Sequence, residues 1–422
     1  MDILKYKMTK DIVIIGGGPA GTAAAVAAYD AGVKDVLIIE RGKELGGILN
    51  QCIHNGFGLT RFKENLTGSE YAARFNNEIA KRNIEVLTNT IVLNLTSDKT
   101  VTASNKSGIF TVKAKAVILA MGCRERSKGA LNIPGYRPAG LFSAGTAQKY
   151  INIKGEGIGK NIVILGSGDI GLIMARRMTL EGAKVLAVCE IMPHSSGLRR
   201  NIVQCLDDFN IPLYLSHTIT YIHGRERVEG VTIARVDENK KPIAESERFI
   251  ACDTVLFSVG LIPENELTRK AGITINPKTR GAEVDETRQT SVPGIFSCGN
   301  VLQVHDLVDF VSEEAELTGG SAARYVLSGA LEADYVPVIN GKGVSYVVPQ
   351  RINRKSGEEV KLYFRPDNEY RDAAIEITDG GKIIKKAKRI AVAPGEMETL
   401  ILKPGDFKTA DNITVAIEGC SK

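Results

Sequence analysis

The sequence predicts an α/β fold in which two Rossmann-like units lie in tandem and a small β-sandwich domain follows. Two glycine-rich turns, at 16–21 and 166–171, each follow a short apolar run and precede an apolar helical stretch. This order is typical of a β-α-β unit whose glycine turn approaches a bound phosphate. Beyond Pro337 short apolar runs alternate with turn residues, as in antiparallel sheets. A chain of 422 residues suits two or three domains.

The composition excludes several classes of protein. With 43% hydrophobic and 24% charged residues, the chain resembles an ordinary globular protein and not a disordered one. The net charge of +5 is small and scattered, so nucleic acid is not an expected partner. Seven cysteines lie far apart with no CxxC pair, which indicates reduced thiols and a cytoplasmic location. We expect no signal segment and no transmembrane segment.

The first glycine turn joins a predicted strand at 11–15 to a predicted helix at 19–31. Gly16 permits the tight turn, Gly18 lets the backbone approach a pyrophosphate, and Gly21 allows the helix to pack on the strand. The phosphates then face the N–H groups of the helix N-terminus. Glu40 ends the next strand, where its carboxylate is placed to accept both hydroxyls of a ribose.

The same pattern returns about one domain length later along the chain. Gly166, Gly168 and Gly171 repeat the turn, and Glu190 repeats the acid. Because an acid here accepts a ribose diol and repels a 2′-phosphate, NAD(H) is predicted over NADP(H), although two arginines at 199–200 soften that preference. The predicted elements are strands at 161–165 and 184–189 and a helix at 170–181.

Glu40-Arg41 followed by Leu45-Gly46-Gly47 resembles the E-R…G-G signature of the two-dinucleotide-binding flavoproteins. That family includes thioredoxin reductase, glutathione reductase and NADH oxidases. Three further segments, 116–122, 255–265 and 290–300, resemble other motifs of the family and occur in the family's order. The resemblance covers about residues 10–330 and implies FAD in the first unit, NAD(H) in the second and hydride transfer between them.

The two turns and the resemblance together define the predicted cofactor contacts and domains. The predicted FAD contacts are Gly16, Gly18, Pro19, Ala20, Gly21, Glu40, Arg41, Gly46, Gly47, Val92, Ala120, Gly122, Gly299, Asn300 and Val311. The predicted NAD(H) contacts are Gly166, Gly168, Asp169, Ile170, Gly171, Glu190 and Gly260. The predicted domains are 1–122 with 252–335 for FAD, 123–251 for NAD(H), and 336–422 for the β-rich domain.

One residue departs from the family's last motif, which normally ends in Asp and here ends in Asn300. The side-chain oxygen of an asparagine still accepts a hydrogen bond, but it brings no negative charge near the flavin. FAD binding is therefore expected to persist. The helix predicted to open near 309–311 is expected to direct its N-terminus at the flavin ring, where its dipole stabilises negative charge.

The redox-active cysteine pair of the disulfide reductases is missing from this chain, so thioredoxin and glutathione reductase activities are excluded. Cys52 and His54 follow the Gly-Gly doublet and are the candidate catalytic residues beside the predicted flavin. Cys52 is either a peroxide- or thiol-reactive centre or, as we favour, a small buried hydrophobe. His54 either relays a proton to the flavin or hydrogen-bonds the backbone of its loop.

Three features outside the turns carry simpler predictions. His305 lies near the flavin motif, and Asp306 is expected to cap the helix that follows. Cys298 is expected in the core. The basic run 385–389 follows a hairpin turn at 379–381 and is interpreted as a solvated edge strand, with a docking surface for an acidic partner as the alternative.

Two segments, 46–58 and 298–311, resemble a narrower group within the flavoprotein family. This is the FAD/NAD oxidoreductase found with anaerobic-type glycerol-3-phosphate dehydrogenase and a small Cys-rich protein. It is similar to the FAD/NAD subunits of heteromeric sarcosine oxidase, opine dehydrogenase and cyanide synthase. The resemblance implies a subunit that exchanges electrons with a partner dehydrogenase, and it makes the β-rich domain a candidate partner or homodimer surface.

Two alternatives remain open from the sequence. The first is a stand-alone NADH oxidase, peroxidase or diaphorase, for which Cys52 would be the reactive residue. The second is a cofactor-loaded assembly module whose NAD site is vestigial. Flavin reduction by NADH distinguishes the second alternative from the other two hypotheses.

Overall fold

The structure is a computed structural model that describes residues 4–329 and 332–421. These residues form two compact units. One unit comprises the chain up to Cys123 together with the chain from Pro263 onward, and the other comprises Arg124–Ile262. The domain boundaries that the sequence predicts stay a prediction.

The chain up to Cys123 alternates strands with two helices before it ends in an antiparallel meander. In chain order these elements are β1 (Leu4–Ile15), α1 (Pro19–Asp30), β2 (Val36–Ile39), β3 (Asn55–Phe57), β4 (Leu66–Thr67), α2 (Gly68–Lys81), β5 (Glu85–Leu87), β6 (Ile91–Leu95), β7 (Thr100–Asn105), β8 (Gly108–Leu119) and β9 (Cys123–Glu125). The predicted strand–helix–strand order over 11–39 is therefore present.

The second unit repeats that alternation and adds an antiparallel sheet. Its elements are β10 (Leu141–Ser143), α3 (Ala144–Lys149), β11 (Asn161–Leu165), α4 (Asp169–Leu180), β12 (Lys184–Glu190), α5 (Arg199–Cys205), β13 (Leu213–Leu215), β14 (His217–His223), β15 (Gly230–Arg235), β16 (Arg248–Ala251), β17 (Thr254–Phe257) and β18 (Leu261–Pro263). The predicted helix at 170–181 is displaced by a single residue.

The chain from Pro263 onward returns to the first unit and ends in eight strands. Its elements are α6 (Glu266–Lys270), β19 (Ile295–Ser297), α7 (Val308–Ser328), β20 (Tyr335–Asn340), β21 (Val344–Val348), β22 (Arg351–Asn353), β23 (Val360–Pro366), β24 (Tyr370–Asp379), β25 (Lys382–Val392), β26 (Glu398–Leu402), α8 (Pro404–Phe407) and β27 (Ile413–Ser421).

The central sheet of the first unit has the strand order β5-β2-β1-β8-β7-β6, with β19 parallel to β8. Four consecutive residues of β1, from Ile12 to Ile15, are at most 4% exposed. This continuous burial is characteristic of a central parallel strand covered on both faces. Ile12 and Ile14 face a core shared with α1, α2 and α7, whereas Val13 and Ile15 face a second core on the other side.

The register of this sheet places the candidate site. Ile15 lies opposite Ile39 and Leu119, and Leu119 lies opposite Ser297. Because these strands are parallel, the residues that follow them all emerge at the same edge. The first glycine turn, Glu40 and the 298–300 segment therefore meet there.

The parallel sheet of the second unit has the order β10-β17-β11-β12-β13. Leu165 lies opposite Cys189 and Phe257, and Phe257 also lies opposite Ser143. The second glycine turn and Glu190 thus leave the sheet at one common edge, as in the first unit.

The C-terminal strands form two facing sheets with the orders β22-β20-β27-β24-β25 and β21-β23-β26. Their inner faces enclose an apolar core of their own, which includes Leu362, Phe364, Ile375 and Ile417. The predicted β-sandwich is confirmed, and the hairpin turn pairs Asp379 with Lys382. Within the described residues, none of the helices is both long enough and apolar enough to cross a membrane.

Candidate functional site

The first glycine turn is packed so tightly that two of its residues must be glycine. A Cβ on Gly21 would lie 1.8 Å from the carbonyl oxygen of Gly16. Gly16 itself has a φ of +108°, and a Cβ there would lie 2.4 Å from the carbonyl oxygen of Ala120. Both contacts are shorter than any real carbon–oxygen contact, so the predicted roles of these glycines agree with the packing.

The open side of the turn lies at Gly18. A Cβ on Gly18 would meet no atom within 4 Å. Pro19 follows as the first residue of α1, and no side chain caps the helix. The first N–H groups of α1 therefore lack a side-chain partner, beside a space that a phosphate would fill. This open, uncapped cradle fits the pyrophosphate of a dinucleotide.

The carboxylate of Glu40 is buried at the same sheet edge. It accepts hydrogen bonds from the backbone N–H of Gly17 at 2.7 Å and of Gly42 at 2.6 Å. Each carboxylate oxygen accepts one of these bonds, which leaves lone pairs for further donors. The fixed carboxylate fits a ribose diol, and contact of Glu40 with a cofactor stays a prediction.

Several other predicted FAD residues line this edge. Gly47 approaches the turn so closely that its Cβ would lie 3.1 Å from the Cα of Gly18, and Gly46 donates its N–H to the carbonyl of Gly17 at 2.8 Å. A Cβ on Gly299 would lie 2.8 Å from the Cβ of Ala20 and 3.3 Å from Val311. The structure thus brings the first and last motifs together.

The remaining predicted FAD residues lie around this group. Gly122 accepts a hydrogen bond from the N–H of Glu264 and faces open space. Arg41 is exposed. Val92 lies on β6, two residues after the backbone bond between Thr90 and Glu40. Contact of Val92 with the cofactor stays a prediction.

Both polar atoms of the Asn300 side-chain amide form hydrogen bonds inside the protein. Its Oδ1 accepts the backbone N–H of His305 at 3.0 Å, and its Nδ2 donates to the Cys123 sulfur at 3.7 Å. One lone pair of the oxygen is therefore already used inside the protein. The predicted bond from this oxygen to a ribityl chain would have to use the other lone pair.

Asp309 connects the loop after the Gly-Gly doublet to the start of α7. Its carboxylate accepts three backbone N–H groups, those of Gly58 at 3.1 Å, Thr60 at 2.8 Å and Arg61 at 3.2 Å. The helix begins at Val308, one residue before the predicted opening. The sequence analysis missed this link, since the partners lie about 250 positions apart along the chain.

A buried cluster lies directly behind Gly299. The Glu314 carboxylate accepts hydrogen bonds from Arg288 Nε and Gln303 Nε2, each at 3.0 Å. It also accepts the Gly299 N–H at 2.9 Å and lies 2.9 Å from His305 Nε2. Burial by itself raises the pKa of Glu314, but His305, Arg288 and the Gly299 N–H more than offset it and lower the pKa to about 2.

This cluster gives His305 a structural role that the sequence did not reveal. The side chains of Arg288 and Glu314 are 1% and 0% exposed. His305 packs edge-on against Tyr363 of the C-terminal sandwich, and Arg288 lies over the same ring. The cluster thus fixes the backbone of the last FAD motif and joins it to the C-terminal strands.

The predicted helix cap at Asp306 is wrong. The N-cap of α7 is Leu307, without a side-chain cap. The Asp306 carboxylate instead pairs with Arg365 and accepts the N–H of Met397 at 2.7 Å. Arg365 also donates to the Val304 carbonyl at 3.0 Å. Asp306 therefore binds the C-terminal sandwich, a contact that no local sequence pattern indicates.

The second glycine turn has the same construction as the first. The Glu190 carboxylate accepts the N–H of Ser167 at 3.0 Å and that of Met192 at 3.0 Å, and it also accepts the Ser167 hydroxyl at 2.6 Å. In the first turn of α4, Gly171 donates its N–H to the Ser258 hydroxyl at 3.0 Å, and the N-cap residue Gly168 provides no side-chain cap. The buried acid again lies beside the N-terminus of a helix whose N-cap residue is a glycine.

Three other predicted NAD(H) residues have internal partners or special geometry. The Asp169 carboxylate accepts the N–H of Leu198 at 2.8 Å and the amide of Asn201 at 2.7 Å, which anchors the segment after β12. Gly260 has a φ of +97° and accepts the N–H of Arg126 at 3.1 Å. A Cβ on Gly166 would lie 2.0 Å from the Ser258 carbonyl oxygen. Gly168 and Ile170 lie beside this turn, at the N-terminus of α4.

The two candidate catalytic residues lie in the loop that follows the Gly-Gly doublet. Cys52 is 9% exposed, and burial raises the pKa of its thiol to about 12. A neutral buried thiol is a poor nucleophile. His54 is half-buried; its Nδ1 lies 3.1 Å from the Asn55 carbonyl oxygen, and its ring lies 5.0 Å from that of Phe57. Catalytic roles for both residues stay predictions.

No disulfide joins any of the seven cysteines, all of which lie in the described part of the chain. Cys298 is fully buried in the core, as predicted. The fold and the two acid-bearing glycine turns define a protein built to bind two dinucleotides.

Comparison with known proteins supports that class. Residues 10–317 match the family model described as pyridine nucleotide-disulphide oxidoreductase. The chain therefore belongs to this family, and it is an FAD-dependent NAD(P)H oxidoreductase.

Two relatives and one solved structure illustrate the range of the family. An NADH oxidase of Methanocaldococcus jannaschii is 26% identical over 78% of this chain and 72% of that protein. The hydrogen cyanide synthase subunit HcnB of Pseudomonas protegens is 27% identical over 76% of this chain and 71% of that protein. The crystal structure of T. acidophilum thioredoxin reductase has a TM-score of 0.64 at 25% identity, covering 76% of this chain and 99% of that one.

Proposed function

We propose that the protein is an electron-transfer subunit that moves hydride between NAD(H) and FAD and exchanges electrons with a partner dehydrogenase. The proposal assigns FAD to the first glycine turn and NAD(H) to the second. It also assigns the protein to the cytoplasm, in keeping with seven cysteines that form no disulfide in the described residues.

The observation that carries the proposal is the duplicated acid-bearing turn. In both units the backbone N–H of the second turn residue holds a buried carboxylate, at 2.7 Å between Gly17 and Glu40 and at 3.0 Å between Ser167 and Glu190. Both turns lead into a helix whose N-cap residue is a glycine, Gly18 in α1 and Gly168 in α4. Two such sites in one chain suit the binding of two dinucleotides, with one dinucleotide in each site.

The residues of the chain contribute binding and orientation. Glu40 and Glu190 would each hold an adenosine ribose by its hydroxyls, and the α1 and α4 N-termini would hold the pyrophosphates. Bound FAD supplies the two-electron acceptor chemistry that protein side chains lack. The Glu314 carboxylate anchors both ends of the 299–305 segment, through the Gly299 N–H and His305 Nε2.

The acid in the second site supports NAD(H) over NADP(H). Glu190 is 5% exposed and already accepts two backbone N–H groups, so it is a fixed charge that a 2′-phosphate would face. Arg199 and Arg200 are exposed at the start of α5. Their charge is screened by solvent, so it offsets the buried acid only weakly.

The partner is proposed to be a dehydrogenase of the glycerol-3-phosphate type, accompanied by a small Cys-rich protein. Two features support a partner of some kind. The chain lacks a cysteine pair that would pass electrons to a disulfide substrate, and the HcnB relative is itself described as a subunit of a larger synthase. The type of dehydrogenase is proposed from the motifs at 46–58 and 298–311.

Anaerobic mixing of the purified FAD-loaded protein with NADH tests the hydride step. We expect rapid bleaching of the flavin absorbance and slow turnover with dioxygen, peroxide or disulfides. Addition of the dehydrogenase and the Cys-rich protein should then give substrate-dependent NADH formation, and the three proteins should co-elute. Absence of bleaching with both NADH and NADPH would contradict the proposal and favour the assembly module.

A stand-alone NADH oxidase or peroxidase remains the second candidate, because an NADH oxidase is among the relatives. It predicts full turnover with dioxygen or hydrogen peroxide in the absence of any partner. It also predicts that Cys52→Ser abolishes that turnover. Turnover that survives Cys52→Ser would exclude Cys52 as the peroxide-reactive residue.

A further inference from the structure

The second unit contains an open cavity that neither cofactor turn uses. Its volume is about 480 Å³, within the range of small-ligand sites. Its lining combines cations, hydroxyl groups and an apolar wall: Glu125, Ser127, Lys128, Gly129, Arg137, Pro138, Leu141, Phe142, Ser143, Thr146 and Phe257. The cavity lies at the carboxyl ends of β10 and β17, an edge where open parallel sheets bind ligands.

Two positive charges line the cavity without an acidic partner. In the described part of the chain, neither Lys128 nor Arg137 forms an ion pair. Lys128 Nζ donates only to the Gly135 carbonyl, at 3.1 Å. Partial burial, and the neighbouring charge of Arg137, lower the pKa of Lys128. Two cations held close together in this way are relieved when an anion binds between them.

The single acid of the lining is bound to groups of the protein itself. The Glu125 carboxylate accepts the Gly145 N–H at 2.8 Å and the Ser143 hydroxyl. Ser143 and Thr146 are themselves joined at 2.9 Å. The Glu125 carboxylate is thus bonded to Gly145 and Ser143 and not to either cation. The lining therefore keeps a net positive charge at Lys128 and Arg137.

Hydrophobic side chains form another part of the lining, the apolar wall. Phe257 is 2% exposed, and Leu141 and Phe142 are partly buried beside it. Phe142 packs edge-on against Tyr150 with ring centroids 5.8 Å apart, so its ring position is fixed. A ligand for this cavity therefore needs an anionic end for the cations and a flat or apolar end for the rings.

We propose that this cavity binds a small phosphate monoester with an apolar organic part, at a site whose lining includes no residue of either glycine turn. The Arg137 guanidinium and the Lys128 ammonium bind the phosphate oxygens, since a planar guanidinium matches phosphate geometry and an ammonium supplies a compact charge. Ser127 offers a hydroxyl donor, and the apolar wall covers the organic part. The proposal goes beyond the hydride-transfer function and does not depend on the partner.

Calorimetric titration of the FAD-loaded protein with phenyl phosphate tests the site. Phenyl phosphate should bind more tightly than inorganic phosphate, which lacks the apolar part, and than benzoate, which carries one negative charge. The Lys128→Gln/Arg137→Gln variant should bind phenyl phosphate at least about tenfold more weakly, since charge-assisted hydrogen bonds are lost. The matched Lys184→Gln variant removes an exposed cation from the start of β12 and should bind as the wild type does.

Three results would overturn the proposal. The first is equal binding of benzoate and phenyl phosphate, or no binding at all. The second is unchanged affinity in the double variant while its flavin spectrum and melting temperature remain those of the wild type. The third is displacement of phenyl phosphate by ADP-ribose, which would make the cavity part of the dinucleotide site. If the double variant does not fold, the Arg137→Lys variant keeps the charge, loses the planar donor pair and should weaken binding by a smaller factor.

Discussion

The Arg288 guanidinium donates its Nε–H to the Glu314 carboxylate at 3.0 Å, with both side chains at most 1% exposed. The same carboxylate accepts the N–H of Gly299 in the last FAD motif at 2.9 Å. A buried ion pair of this kind adds little over a well-packed apolar pair, but loss of one partner strands a buried charge. The backbone position of the last FAD motif therefore depends on the Glu314 carboxylate of α7.

Glu314→Gln should lower the free energy of unfolding by about 3–5 kcal/mol, because the buried Arg288 loses the carboxylate with which it pairs. Denaturant titration with and without added FAD measures this change. The control is Glu313→Gln, whose half-exposed carboxylate pairs with Lys361 and should contribute only about 0–1 kcal/mol. Equal effects of the two variants would contradict the importance of the buried pair.

The same carboxylate predicts how stability depends on pH. Its pKa is about 2 in the folded protein, below its ordinary value of 4.5. The unfolded state therefore binds the proton first as pH falls, and the contribution of Glu314 is complete above about pH 4.5 and is lost toward pH 2. Melting temperatures measured across this range should fall less steeply in Glu314→Gln than in the wild type.

Two neighbouring glycines of α7 should respond in opposite directions to alanine. A Cβ on Gly319 would lie 2.1 Å from the Ala24 carbonyl oxygen, so Gly319→Ala should push α7 away from α1 and cost about 1–3 kcal/mol. A Cβ on Gly320 meets nothing within 4 Å, so Gly320→Ala should stabilise the helix by about 0.4–1 kcal/mol. Thermal denaturation of the Gly319→Ala and Gly320→Ala variants measures both effects. Because the two positions are adjacent, opposite effects would show that α7 contacts α1 at Gly319.

Cys52 and Cys420 should differ sharply in reactivity. Burial raises the pKa of the Cys52 thiol to about 12, whereas Cys420 is exposed near the end of β27. Iodoacetamide requires an accessible thiolate, so mass spectrometry should find Cys420 labelled well before Cys52 at mildly alkaline pH. Rapid labelling of Cys52 in the native protein would instead support a catalytic role for this residue.

Glu190 should decide the choice of pyridine nucleotide. Glu190→Gln removes a buried negative charge that faces the predicted adenosine ribose, so the preference for NADH over NADPH should shrink by about tenfold. The ratio of kcat/KM for flavin reduction by the two nucleotides measures it. Glu181→Gln is the control, since that half-exposed acid pairs with Arg177 at the end of α4. An unchanged ratio would show that another residue determines the preference for NADH over NADPH.

Local sequence patterns were sufficient to predict the strand–turn–helix arrangement in both units. The strand at 12–15 is apolar on both faces, and Gly16, Gly18 and Gly21 follow it at the spacing of a phosphate-binding turn. Such features depend on residues close together in the chain, where backbone geometry and burial period determine the outcome. The helix bounds at 19–30 and 169–180 accordingly differ from the predicted ones by a single residue.

Contacts between distant segments could not be predicted in this way. Asp306 was expected to cap α7 and instead pairs with Arg365, 59 positions away. Asp309 holds the 58–61 loop, and Glu314 gathers Arg288, Gln303 and His305. No periodicity or local motif specifies such pairs.

By itself, the sequence determined the α/β class, both glycine turns with their acids, and the family, because short-range backbone requirements leave a readable pattern. Only the tertiary structure decided what the remaining polar residues do, since a buried charge is stabilised by partners that the folded chain brings together. Glu314 illustrates both parts: the sequence predicted a helix that opens near 309–311, and the four partners of the Glu314 carboxylate follow from the fold alone.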